Sequence, residues 1–418
     1  MKQFDVIVVG GGAAGLIAAG TAAKNGAQVL LAERNSRMAR KVMITGKGRC
    51  NVTNDCSEEV FLQNVCSNSK FLFGAIHRFP PQRTMALLES LGVPLKVERG
   101  NRVFPVSDQA VDVVDALVSF AKKAGVVFVQ QRISQLLVVD GTVTGVGCED
   151  GAVFSAPKVI VATGGKSYPL TGSTGDGYQL ATQAGHTVTP AMPSLIPIET
   201  KEDWCRECMG LSLKNVTLTL WEKGRKKPLY TELGEMLFTH FGVSGPLVLT
   251  ASTYLKKDLS QYQLEIDLKP ALDNRQLEQR ILRDFQVNSN RDFFNSLSEL
   301  LPRKLIPVIV RLSEIPPEQK VHQVTREQRE KLCGIIKHLA LTPKGLLPIE
   351  EAIVTAGGVQ TKEVNPHTME SKLCQGLYFA GEVLDLDART GGFNLQIAFC
   401  TGFVAGESVG KEDVSCTQ

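Results

Sequence analysis

Four apolar residues in a row, Val6 to Val9, precede a run of three glycines and an alanine-rich stretch from Ala13 to Asn25. An unbroken β-branched run is the pattern of a strand buried on both faces of a parallel sheet. The stretch after it predicts a helix that Gly26 stops. A second apolar run, Gln28 to Ala32, ends in Glu33, and further strand-then-glycine patterns occur at Lys158–Gly165 and Gly376–Gly381. Between them, helical periodicity fits residues 82–91 and 109–124, the latter with Ser107 or Asp108 as N-cap. Short strands fit Val126–Val129, Leu136–Val139 and Thr142–Gly147, with Asp140-Gly141 as a hairpin turn. The segment starting at Thr171 opens another helix.

The pattern changes at Pro190, Pro193 and Pro197. Up to about residue 270 it alternates as strands, including Ser212–Leu220 and Gln263–Leu268, and from Asp273 to Leu341 it is helical. Pro343 and Pro348 close the excursion, and the strand–glycine–helix pattern resumes. The expected division is therefore 1–190, an inserted β-rich module 191–270, an inserted helical module 271–345, and 346–418 completing the first domain.

A chain of 418 residues has room for two or three domains. Its 21% of charged residues and the lack of an apolar run approaching ~20 residues place it among soluble proteins rather than membrane spans. Asp5 interrupts the start of the first apolar run, which also argues against a secretory leader. Ten cysteines without such a leader suit a reducing cytoplasm. The Cys205-Arg-Glu-Cys208 pair offers too few ligands for a metal site, and no metal is expected. A net charge of +3 is too small to imply a nucleic-acid partner. Residues 191–345 carry 23 basic and 19 acidic residues, most visibly Lys223, Arg225, Lys226 and Lys227. That cluster fits a solvated hairpin tip and gives RNA weak support.

Gly10, Gly12 and Gly15 fit Gly-x-Gly-x-x-Gly at the strand-to-helix turn, and Glu33 stands where a carboxylate accepts from a ribose diol. Ala13 and Ala14 begin the helix whose free N–H groups face a pyrophosphate. The second such element, residues 376–406, lies near the far end of the chain. A nicotinamide enzyme needs one element; a long cofactor held at both ends needs two. The expected fold is α/β, a two-element glutathione-reductase-type Rossmann fold binding FAD, with an inserted β-barrel-like and helical region. The loop from Lys41 to Asn54, with Thr45-Gly-Lys-Gly-Arg-Cys-Asn51 at its heart, would run back toward the reactive ring.

This loop, Leu237–Pro246, Thr355-Ala-Gly-Gly-Val359, Met369-Glu-Ser-Lys372 and the C-terminal element together resemble the bacterial FAD-binding oxidoreductases that include aminoacetone oxidase and a reductase of unsaturated oxo-bile acids. The resemblance spans essentially the whole chain. More distantly, Ala162-Thr-Gly-Gly165 and Thr174-Gly-Asp-Gly177 are similar to segments of succinate dehydrogenase and fumarate reductase flavoproteins. The family resemblance implies that Gly10, Gly12, Gly15 and Glu33 hold the adenosine diphosphate half of FAD, with Ala13, Ala14, Arg34, Lys41, Thr163 and Gly164 also among the cofactor-binding residues. Thr45, Gly46, Gly48, Arg49, Cys50 and Asn51 would run beside the ring, and Gly381 and Glu382 near the ribityl chain and pyrophosphate. Gly391, Gly392, Phe393 and Asn394 would open a helix pointing at the ring's O2 edge. Ala388 departs from the glycine expected in that turn, leaving the role of Arg389 open.

Lys47 and Arg49 suit either polarising a substrate carbonyl or neutralising the pyrophosphate. Cys50 suits a packed thiol better than a redox one. His240 is the leading general-acid candidate, with a structural cap as the alternative, and Tyr168 has a weaker claim of the same kind. The expected activity is hydride transfer through flavin N5, leaning to NAD(P)H-linked reduction of an activated C=C bond in a small molecule. No second dinucleotide motif appears, so NAD(P)H would bind transiently. An oxygen-using amine oxidase, or reduction of uridine in ribosomal RNA, are the alternatives.

Overall fold

The computed structural model describes residues 3–255 and 258–410. Strand β1 (Val6–Val9) pairs in parallel with β2 (Val29–Glu33) on one side and with Lys158–Val161 on the other. Val127–Gln130 and Leu377–Phe379 extend this to a five-stranded parallel sheet. All four residues of β1 are buried, as the unbroken apolar run requires. Helix α1 (Ala13–Lys24) is buried on nearly every side, because the C-terminal helix Phe393–Gly410 packs on the face that the sheet leaves open. Alanines and glycines let these two backbones approach closely. A Cβ on Gly402 would lie 2.4 Å from the Ala14 carbonyl oxygen, and one on Gly406 would lie 2.3 Å from that of Ala18.

The Asp140-Gly141 hairpin is present, both residues having positive φ, between Ile133–Val139 and Thr142–Cys148. Two local expectations fail. Helix Ala110–Lys123 has Gln109 as N-cap without a side-chain cap, since Asp108 instead binds Arg49 and Lys96 while Ser107 bonds Asp112. The glycines after Thr171 delay the next helix to Asp176, with a 3-10 turn at Pro169–Thr171 before it.

The chain divides into two compact units, residues 3–194 with 348–410, and 195–347. The second unit holds a seven-stranded antiparallel sheet. Its edges are Leu339–Leu341 and Pro343–Leu346, and among the described residues no pairing joins them. These two strands have only Thr342 between them in the chain, so the sheet curls back onto one run of residues and is barrel-like as expected, with no closed hydrogen-bonded ladder among the described residues. Helices Asn274–Val287, Ile306–Ser313 and Arg326–Lys337 share one core with this sheet. The first and last begin with capping boxes, Asp273 with Gln276 and Thr325 with Gln328.

Candidate functional site

The turn after β1 is shaped by contacts only glycine permits. Gly10 has φ +103° and leaves no room for a Cβ, which would sit 2.6 Å from the Ala162 carbonyl oxygen. A Cβ on Gly15 would lie 1.9 Å from the Gly10 carbonyl oxygen, so helix and turn are locked together here. Gly12 differs, since nothing lies within 4 Å of where its Cβ would be. That opening faces a pocket lined by Gly10, Gly12, Glu33, Arg34, Thr163 and Asp176, among others. Helix α1 starts at this pocket with no side chain capping it and no acidic residue in its first turn, leaving its first N–H groups for an anion.

Glu33 is buried, and its carboxylate is already partly engaged. Oε2 accepts from Gly11 N at 2.7 Å, and Oε1 from Asn35 N and Nδ2 at 2.8 and 2.7 Å. A carboxylate has about four acceptor positions, which leaves room for one ribose hydroxyl rather than both. Thr163 also lines the pocket, but its Oγ1 is buried against Gly177 rather than open to the cofactor space. The open space at Gly12, the uncapped start of α1 and the remaining Glu33 acceptor fit the adenosine diphosphate half of FAD.

Asp176, Arg132 and Ser173 are among the pocket-wall residues that carry no signal in the glycine motif. Asp176 receives two hydrogen bonds from Arg132, at 3.0 and 3.1 Å, and lies 3.4 Å from Arg34 Nη1. Arg34 also donates to Thr174 Oγ1 at 2.7 Å. Burial works to raise the Asp176 carboxyl, but hydrogen bonds from Arg132 and Thr174 outweigh it and hold it below its usual range. Arg132 and Ser173 were missed by sequence reasoning; Asp176 lay in the noted Thr174–Gly177 motif without an assigned role.

The structure brings the two distant elements together. A Cβ on Gly381 would lie 2.8 Å from that of Ala14, so the C-terminal element meets the first turn of α1. Glu382, next to it, receives Lys41 Nζ at 2.7 and 2.9 Å, Ser167 Oγ at 3.1 Å and Thr355 N at 2.9 Å. Lys41 and Glu382 therefore pair with each other, and Gly164 lies close by, near Ser173 and Glu382.

The Thr45–Asn51 loop lies against the start of the last helix. Gly392, with φ +97°, packs on the Thr53 backbone. With its amide oriented to satisfy both ends, Asn51 donates to the Thr53 and Val103 carbonyls and accepts from Gly392 N. Thr45 Oγ1 donates to the Val42 carbonyl. Gly46, Lys47, Gly48 and Cys50 all have positive φ, and Lys47 is exposed. Arg49 binds Glu98 and Asp108 and lies 4.1 Å from the Phe104 ring centre, so its charge is held on the loop's outer support. Cys50 is fully buried, and burial pushes its thiol up to about 12, as suits a packed thiol. Cys205 and Cys208 are likewise buried, raised to about 12 and about 11.

The side chains of Phe393 and Asn394 are engaged within the protein. Phe393 is buried against Phe61, and Asn394 bonds the backbone of Ala388 and Arg389. What these residues offer is backbone N–H at the head of a long helix. Ala388 is buried, bridges Val65, and does not have the left-handed backbone that would require glycine. In the other unit, His240 is exposed on the turn between Tyr230–Phe238 and Gly242–Ser244, its ring edge-on to Phe241. Tyr168 is half-buried with φ +51°.

Comparison with known proteins agrees with this geometry. The chain is 32% identical to the 3-dehydro-bile acid delta(4,6)-reductase of Clostridium scindens, covering 97% of this chain and 98% of that one. It is 30% identical to the ribosomal RNA dihydrouridine synthase of Escherichia coli, covering 98% of each. Among solved structures, the 3-ketosteroid-delta4-(5alpha)-dehydrogenase of Rhodococcus jostii shares the fold, with TM-score 0.53, 17% identity, and 98% and 97% of the two chains covered. No helix among the described residues is long and apolar enough to cross a membrane. The HI0933-like protein Rossmann domain matches residues 4–408, and the chain belongs to that family as an FAD-dependent oxidoreductase.

Proposed function

We propose that the protein catalyses NAD(P)H-linked reduction of a carbon–carbon double bond conjugated to a carbonyl in a small molecule. The observation that carries this is the pair of full-length relatives. A delta(4,6)-reductase of a 3-dehydro-bile acid and a dihydrouridine synthase both have names that describe saturating such a bond. Bound FAD supplies a two-electron carrier able to pass a hydride equivalent. The chain's own residues bind and orient. The Gly10–Gly15 turn and α1 hold the pyrophosphate, and Glu33 takes one ribose hydroxyl. The backbone at the head of Phe393–Gly410 offers N–H groups to negative charge that grows on reduction. Arg49, tied to two carboxylates, supports the loop rather than meeting substrate. Lys47 is the loop's exposed cation for a substrate carbonyl, and His240 is the proposed proton donor.

Anaerobic mixing of the yellow protein with NADH, NADPH and aminoacetone in parallel tests the reading. Bleaching by a nicotinamide supports it; bleaching by the amine alone overturns it in favour of an amine oxidase. A second reading, reduction of uridine within RNA, draws on the Escherichia coli relative and on the exposed Lys223, Arg225, Lys226 and Lys227. RNA affinity that falls steeply with added salt would favour it.

A further inference from the structure

The Met369–Lys372 motif has no part in the cofactor geometry above, yet Ser371 is the hub of a buried relay. Its Oγ accepts from Leu373 N at 3.0 Å and Cys374 N at 2.8 Å, and lies 2.7 Å from His186 Nε2. A hydroxyl oxygen has two lone pairs and one proton. Both lone pairs face backbone donors, so the proton goes to His186 and Nε2 is the acceptor. The imidazole is then neutral with its proton on Nδ1, which faces Glu363 Oε2 at 3.2 Å, less well aligned than a full hydrogen bond. Glu363 Oε2 also accepts from Thr187 N at 2.8 Å.

Each element around His186 is accounted for. The end of helix Asp176–Gln183 receives its backbone N–H through the Ala181 carbonyl. Strand Leu377–Phe379 sets the Phe379 ring edge-on at 4.8 Å, and segment 369–374 brings Ser371 and the buried Cys374. Glu363 is the ionised group acting on it. Ser371 N also donates to the Leu377 carbonyl at 2.7 Å, and Phe379 N to that of Met369 at 3.0 Å. The relay is thereby fastened to the strand that leads directly into Gly381 and Glu382.

We propose that Ser371, His186 and Glu363 form a proton-ordered latch that positions the Gly381–Glu382 segment on FAD and opens on acidification. This rests on the placement of Gly381 and Glu382 beside the cofactor. A second proton on Nε2 would confront a Ser371 oxygen with no lone pair left, so the closed latch excludes the imidazolium. Burial lowers the His186 pKa below the ordinary imidazole value, with Glu363 acting weakly the other way. The open form therefore binds a proton that the closed form rejects. The latch is fully effective above about pH 6.5 and loses its hold as pH falls from there through the lower closed-state value.

The test follows FAD loss from the holoprotein by flavin fluorescence between pH 7 and pH 5, alongside nitrogen-15 NMR of the His186 ring. Wild type should show the Nδ1–H tautomer at pH 7 and lose FAD faster on acidification, by up to about tenfold per pH unit for one proton. His186→Gln keeps an acceptor for Ser371 but does not titrate, so this slope should vanish. Ser371→Ala removes the conflict with the second proton, so the closed-state value should rise toward about 6.5 and the window of acid acceleration should narrow and shrink. An Nε2–H tautomer overturns the relay. Equal acceleration at every pH in both variants overturns its coupling to FAD, as does a flat wild-type profile. Should His186→Gln not fold, the wild-type tautomer and the Ser371→Ala window still decide. If Gly12→Val abolishes FAD binding while the wild-type profile is flat, the cofactor reading stands and the latch falls.

Discussion

Gly12 and Gly15 belong to one turn, and the molecule treats them differently. At Gly15 the obstacle to a side chain is the Gly10 carbonyl, so Gly15→Ala should destabilise the apoprotein by about 1–3 kcal/mol in urea unfolding. At Gly12 there is open space and an extended backbone, φ −79° and ψ −170°, that β-branched residues adopt. Gly12→Val should cost about 1 kcal/mol as a poor N-cap while abolishing FAD retention. A yellow Gly12→Val protein would sink the pyrophosphate assignment. The glycine positions were legible in the sequence because spacing alone encodes a turn. Side-chain commitments were not. Asp108 reads as an N-cap until Arg49 and Lys96 claim it, and Asn394 reads as a ligand until the Ala388 backbone does. Each depends on a partner brought in by tertiary structure. His240 is a residue-scale test too. His240→Ala should leave FAD bound and slow turnover ~10²-fold or more, as loss of a general acid does. Unchanged turnover would make the exposed imidazole an incidental surface group.

Among elements, the packing of α1 on Phe393–Gly410 holds the cofactor end of the fold together. Both helices read as apolar all round, which marks burial but names no partner. The Gly402, Gly406 and Gly410 spacing looks like weak helix in the sequence, since each glycine gives up about 1 kcal/mol of propensity against alanine. The approach to the Ala14 and Ala18 carbonyls explains why glycine stands there. Gly402→Ala and Gly406→Ala should therefore each lower the melting temperature by a few degrees, the clash outweighing the gain in propensity. Gly402 faces Ala14, which also meets Gly381, so only its substitution should weaken FAD binding as well. Melting points that rise in both variants would mean that the contact relaxes freely. Strand patterns in the insertion were legible from their alternation, but the break at Thr342, where one run of residues passes from one end of the sheet to the other, was not. Whether the first and last strands of a sheet meet depends on accumulated twist that no strand records alone.

At the scale of the whole chain, the first unit is discontinuous: the pocket at Gly12 is lined by the first segment alone, and the proposed grip on the rest of the cofactor needs the second as well. Gly381 reaches Ala14, Glu382 reaches Lys41, and Gly392 reaches Asn51 and Thr53. The first 194 residues contain the glycine turn and Glu33 yet lack every one of those contacts. Binding that engages one site should then slow amide exchange together in three segments far apart in sequence: 10–16, 45–51 and 381–396. Where exchange requires an opening that releases FAD, a hundredfold excess over Kd adds about 2.7 kcal/mol to that opening, or about a hundredfold in rate. Protection confined to residues 10–16 would mean that the adenosine half alone is gripped. The loop and the C-terminal element would then be scaffolding for the fold, and the ring would have to be held by groups other than those assigned to it.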